Sequence, residues 1–249
     1  MITFQRSSKT ITTSVADSAF VTSGLSLHVD AANPSSYSGT GTTWNDLSNN
    51  NFDFQFNGAV TFDTANGGSM YLTNGDTLDS GNLGTEFQQG EFTYEIWINS
   101  DDLNGNILSE RNGGGWTVSL VSIVGGEVRV GFWVGGVAYI GIGTITPGNW
   151  YQIVMKYSGT TLTGYINGVV GYTMSDLYKE YPGNPSIMII GDVEPTNFGY
   201  GGVFNGKISD VKLYNRALTD EEILQNYNAI KYRYISAPFQ NRVTITSNV

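Results

Sequence analysis

Three groups of side chains in this sequence are of types that carry chemistry: carboxylates near β-like segments, one histidine, and aromatic rings in glycine-rich surroundings. Glu91 and Glu95 fall on one face of an extended segment, because side chains alternate along a strand. Four residues at ~3.3 Å each put them roughly 13 Å apart. Paired glycosidase carboxylates stand about 5–9.5 Å apart, so this pair fails on distance. Asp192 and Glu194 are one alternation apart, but they sit in a loop-like stretch ending at Pro195 with no third group beside them. Solvated loop acids describe them better. His28 is the only histidine and shares a strand face with Asp30, opposite Leu27 and Val29. A Ser-His-Asp relay or a His28–Asp30 metal pair needs no second histidine. No G-x-S-x-G elbow accompanies it, and a half-exposed histidine on a polar strand face is the simpler expectation.

The rings are more informative. Sugar recognition uses aromatic faces beside amide and carboxylate hydrogen-bonding groups, and Tyr37, Trp44, Trp133, Tyr139, Phe198 and Tyr200 are available for it. Alternation puts Trp133 on the face opposite Phe132 and Val134. Asn197-Phe-Gly-Tyr-Gly-Gly reads as an aromatic loop of the kind that carries recognition. Trp133, Tyr139, Asn197, Phe198 and Tyr200 are therefore the candidate ligand-binding residues, and no residue qualifies as catalytic. The alternative is that these rings fill a core or an oligomer contact.

The elements that must position these residues are short. The 249 residues include 32 glycines and only 6 prolines, and a single all-β domain often has this length. Runs of β-formers separated by Gly, Asn, Asp and Ser clusters are the pattern of a sandwich or barrel. Trp116–Val124, Val128–Val134 and Val137–Gly143 follow one another through short glycine-containing links, Gly135-Gly136 among them. Asn167-Gly168 joins Leu162–Ile166 to Val169–Thr173, and Asn-Gly is a strong two-residue hairpin signal. Consecutive hairpins mean antiparallel pairing, not βαβ units. One helix is specified by Thr219 and Glu222 as a capping box and by Leu218 and Ile223 as a hydrophobic staple. It is expected on the rim of the sandwich. The chain divides into an N-terminal polar arm at 1–23, a sandwich at 24–234, and a C-terminal arm or strand at 235–249.

Bulk properties exclude several classes. The net charge of −10 repels polyanions, and no basic cluster offsets it, so nucleic acid is not a partner. The absence of cysteine excludes disulfides and thiolate metal sites. The longest apolar region, Trp116–Ile145, is broken by glycine pairs and carries Glu127 and Arg129, which argues against membrane insertion. The first fifteen residues lack the apolar stretch of a secretory signal.

Three blocks resemble one family. Phe92–Asp101 (FTYEIWINSD), Asn149–Thr173 (NWYQIVMKYSGTTLTGYINGVVGYT) and Ile189–Tyr232, with its FNGKISDVKLYNRALTDEEILQNY, are similar to segments of laminin-G-like, concanavalin A-like lectin jelly rolls. The likeness covers residues 92–232. The opening GLSLHVDAANPSSYSGTGTTWNDLS resembles stand-alone versions of the module in large tailed-phage structural proteins. Glu95, Leu103–Gly115 and Tyr178–Pro185 depart from the family pattern. The resemblance implies an all-β, two-sheet antiparallel jelly-roll sandwich with one short C-terminal helix, and core roles for Trp97 and Trp150. It implies glycan or protein ligands, often with calcium (Ca2+) at one end, for which Asp192, Asp210 and Asp30 are the positions to watch.

The function expected from this is a non-enzymatic structural or adhesion module on a virion surface, binding host glycans. Its terminal arms would pair with other virion proteins by β-addition, and a homo-oligomer would supply avidity. The alternative is a carbohydrate-active enzyme, a hydrolase or lyase, of the same fold, since fold alone does not settle function.

Overall fold

Alternating apolar residues and tight turns build sixteen strands, one α-helix and two single-turn 3-10 helices among the described residues, which are 19–84, 90–112, 117–134, 137–179, 185–191 and 202–234 of a computed structural model. Sheet A holds β1 (Leu25–Asp30), β4 (Thr61–Asp63), β5 (Ser69–Leu72), β7 (Phe92–Ser100), β12 (Trp150–Tyr157), β13 (Leu162–Ile166), β14 (Val169–Met174) and β16 (Gly206–Tyr214). Sheet B holds β2 (Thr43–Trp44), β3 (Phe54–Asn57), β6 (Thr77–Ser80), β8 (Gly105–Asn112), β9 (Thr117–Val124), β10 (Glu127–Trp133), β11 (Val137–Thr144) and β15 (Ser186–Ile190). The order is β14-β13-β12-β7-β16-β5-β4 in sheet A and β11-β10-β9-β8-β15-β6-β3-β2 in sheet B, all antiparallel. β1 and β5 share one edge of β16, at Asp210–Tyr214 and Gly206–Ile208 respectively.

The period-two pattern sends Leu27, Val29, Ile96, Ile98, Ile153, Val211 and Leu213 of sheet A inward against Phe54, Leu108, Val121, Val130 and Phe132 of sheet B. The hairpin between β13 and β14 forms as the sequence specifies, with Asn167 and Gly168 both at positive φ. The link at 135–136 and the expected last strand lie outside the described residues.

Both helix signals hold. Thr219 accepts the Glu222 N–H at 3.2 Å, and the Glu222 carboxylate accepts the Thr219 N–H at 2.8 Å, opening α1 (Asp220–Ile230). The expected place of the helix is corrected. It does not sit on the rim but covers the outer face of sheet A, because Ile223 packs with Val154, Tyr165, Tyr214 and Leu218. Tyr227 stacks on Trp97 with ring centroids 5.7 Å apart. Trp97 is thus fully buried between sheet and helix, and half-buried Trp150 stacks on Tyr234. No described helix is long and apolar enough to cross a membrane.

Candidate functional site

The two outer faces of the sandwich gather the polar and aromatic side chains in different ways. On the part of sheet A that lies under α1 the outward residues are sealed. His28 is buried, which overturns the expectation of half-exposure: α1 covers this side of the sheet, and Phe20 packs edge-on to the imidazole at 4.8 Å. His28 Nε2 lies 3.1 Å from Asp210 Oδ2, and the Lys212 ammonium donates to the other Asp210 oxygen. Lys212 also lies 3.7 Å from Glu95 Oε1. Asn226 of α1 donates to Glu95 Oε2 at 2.8 Å and to the Tyr214 hydroxyl at 2.9 Å. Arg233 closes the cluster with a two-pronged contact to Asp30, at 2.7 and 2.8 Å. Burial pushes the Glu95 carboxyl up, and the nearby Asp210 charge adds to this against the pull of Lys212 and Asn226. Burial acts on Asp210 in the same direction but is outweighed by Lys212 and His28, which hold it well below the usual carboxylate range.

Asp30 and Asp210 therefore do come together with His28, their ligand atoms within 4.8 Å of one another. Calcium does not fit them. It wants six to eight oxygen ligands, whereas each carboxylate here already faces a fixed cation, Arg233 or Lys212, that would repel the ion. Asp192 lies outside the described residues, as do Asn197, Phe198 and Tyr200.

On sheet B the outer face is open at one edge. Gly131 pairs with Tyr139 and Trp133 with Val137, so the rings of Trp133 and Tyr139 are diagonal neighbours on the side away from core residues Val130 and Phe132. Trp133 is half-buried, and Tyr139 is 36% exposed. Two glycines clear the space. A Cβ on Gly131 would stand 2.7 Å from the Tyr139 Cβ, and one on Gly141 would meet the Glu127 carboxylate at 2.2 Å. Arg129 completes the strip: its guanidinium lies 5.1 Å from the Tyr139 ring centre, and its Nε donates to Glu127 Oε2 at 2.7 Å. The strip thus offers an aromatic floor flanked by a fixed donor and a fixed acceptor. Tyr37 and Trp44, the other described rings named from sequence, are buried in the core and cannot join it.

Sequence reasoning found the two rings but missed Arg129 and Glu127 as their companions, although alternation puts both on the face of Trp133. It also missed the buried pair of Lys179 and Glu110, 2.9 Å apart, where the same carboxylate oxygen accepts from Tyr94 and Ser119. Burial lowers the Lys179 pKa, opposed by Glu110.

A family model described as the concanavalin A-like lectin/glucanases superfamily matches residues 66–224. The chain belongs to that superfamily. Among solved structures, this superfamily member is similar to the botulinum neurotoxin serotype C1 binding domain, with 16% identity and a TM-score of 0.65, over 84% of this chain and 53% of that one. It is equally similar in fold to a structure of botulinum neurotoxin type C, whose cell entry is described as dependent upon interaction with two ganglioside molecules, at 13% identity, TM-score 0.65, 84% of this chain and 52% of that one. The chain thus spans about half the length of these toxin domains. Domain 4 of AbnA, an extracellular GH43 arabinanase from Geobacillus stearothermophilus, solved with arabinotriose, aligns at 13% identity and TM-score 0.62. That match covers 82% of this chain and 98% of the domain. A search of curated proteins gave no match.

Proposed function

We propose that the chain is a non-catalytic carbohydrate-binding module that takes neutral oligosaccharides on the Trp133–Tyr139 strip of sheet B. The observation that carries this reading is the exposed Tyr139 ring, cleared by Gly131 and flanked by the Arg129–Glu127 pair. A sugar ring stacks its C–H face on such an aromatic while its hydroxyls meet the guanidinium and carboxylate. Neutral ligands are favoured because Glu127 already neutralises Arg129 and the whole chain carries −10. The overlap with 98% of a domain solved in complex with arabinotriose supports sugar binding by a module of this size.

The superfamily also contains glucanases, so catalysis is the second reading. Among the described residues, Asp30, Asp210 and Glu95 gather near one another, but they are buried and tied to Arg233, Lys212 and Asn226. A polysaccharide does not reach such acids. The setting proposed is a virion surface, such as a capsid decoration, neck or tail fibre. This rests on the likeness of residues 24–48 to tailed-phage structural proteins, and mass spectrometry of purified particles tests it. The functional test is a screen of neutral and sialylated oligosaccharides against the intact chain, run beside a reducing-sugar assay. Binding of neutral sugars without release of reducing ends is expected. Release abolished by Glu127→Gln would overturn the non-catalytic reading.

A further inference from the structure

Residues 19–23 lie ahead of the first strand, yet the protein grips their backbone at every second position. Gln225 Nε2 donates to the Ala19 carbonyl at 2.6 Å, the Tyr214 hydroxyl to the Val21 carbonyl at 2.9 Å, and Arg216 Nε to the Ser23 carbonyl at 2.9 Å. Asn226 Oδ1 accepts the Val21 N–H at 2.8 Å. All four partners belong to α1 or to the end of β16 and the residues just after it. Only Val21 inserts fully, into the apolar pocket of Val154, Tyr165, Leu218 and Ile223.

The grip is built independently of what it holds. Asn226 is oriented by Glu95 and Tyr214, and Arg216 by a two-pronged contact to Glu222 at 2.8 and 2.7 Å. These partners stay in place if the segment leaves. The segment joins β1 through Gly24, at φ +75°, and a glycine can take up other backbone angles there at little steric cost.

We propose that this clamp is an exchange site, in which residues 19–23 of one copy seat in the clamp of a second copy. The incoming segment would present the same carbonyls, the same N–H and the same valine, so every contact with the clamp is reproduced; the change is confined to the joint at Gly24, where the Leu25 N–H to Thr22 carbonyl bond of 3.2 Å opens. A segment tethered to its own clamp by a short linker has an effective concentration of about millimolar order. Exchange therefore becomes visible when copies are packed at comparable density, as on an array. The inference is independent of the sugar-binding reading, because the clamp and the Tyr139 strip lie on different sheets.

The chain has no cysteine, so single thiols report cleanly. Full-length Ala19→Cys and Gln225→Cys chains are mixed at about 1 mM, the range set by tethering, and treated with a short bis-maleimide. Ala19 is exposed and Gln225 half-buried, so neither change touches the core; Gln225→Cys gives up one of the four grips and leaves those of Tyr214, Asn226 and Arg216. A mixture of Ala19→Cys with Tyr178→Cys, an exposed position outside the clamp, measures random collision. The expected result is a mixed dimer several-fold above that control, suppressed by a synthetic peptide of residues 19–24. A yield equal to the control, or one untouched by the peptide, overturns the proposal.

Discussion

The outer face of sheet A and the outer face of sheet B both carry charged and aromatic side chains, but they treat them oppositely. Under α1, Asp30, Asp210 and Glu95 are removed from water and matched to Arg233, Lys212 and Asn226. On sheet B, Tyr139 stays exposed and the Arg129–Glu127 pair stays within reach of solvent. Buried, matched charges leave nothing to offer a ligand, and they make correct docking of the helix the condition for a low energy. An exposed ring beside a part-exposed ion pair adds little to stability but presents a surface ready for recognition. The acids that look most like chemistry on paper are therefore buried and matched, and the surface proposed for recognition is the one with fewer charges.

Breaking sheet A should cost stability without touching binding. Lys212→Met strands Asp210 and Glu95 in a fully buried site, and removing one partner of such a group costs about 3–5 kcal/mol, readable by urea denaturation. Any protein that remains folded should bind sugar as before. Breaking sheet B should do the reverse. Tyr139→Ala should weaken an oligosaccharide by roughly tenfold to thirtyfold, the range of a contact residue worth about 1.4–2 kcal/mol, with the melting temperature unchanged. Thr219→Ala removes one half of the capping box and should lower stability by about 1 kcal/mol, again without an effect on affinity.

Two carboxylates sharpen the contrast through pH, and their signs differ. Asp210 is held below its ordinary value, so its contribution is complete above about pH 4 and is lost as pH falls further. Glu95 is raised by burial, so the stability it lends at acid pH is lost as pH rises through its folded value. Glu95→Gln should therefore gain stability relative to the parent as pH rises above the ordinary carboxylate value, and the gap should level off once pH has passed the folded value. The same titration on sugar binding should show no matching change.

The sequence makes the layers legible because their determinants are local. Alternation in β10, the Asn167-Gly168 turn and the Thr219–Glu222 box each act within a few residues, and each appears where expected. What covers what is not local. The burial of His28 depends on Phe20 and on a helix some two hundred residues away, and Asp30 finds Arg233 only once α1 has docked. Both acids were readable as candidates, but the cations that occupy them were not, since Lys212 and Arg233 sit in unremarkable positions in the chain. On sheet B, Trp133 and Tyr139 were readable because pairing across one hairpin brings them together.

The most direct test is an amide chemical-shift map of the folded chain, titrated with the best neutral oligosaccharide from the screen. A recognition face on sheet B predicts shifts confined to Glu127–Trp133 and Val137–Gly141. Shifts centred on β1, β16 and α1, or no shift with any neutral oligosaccharide, would contradict it.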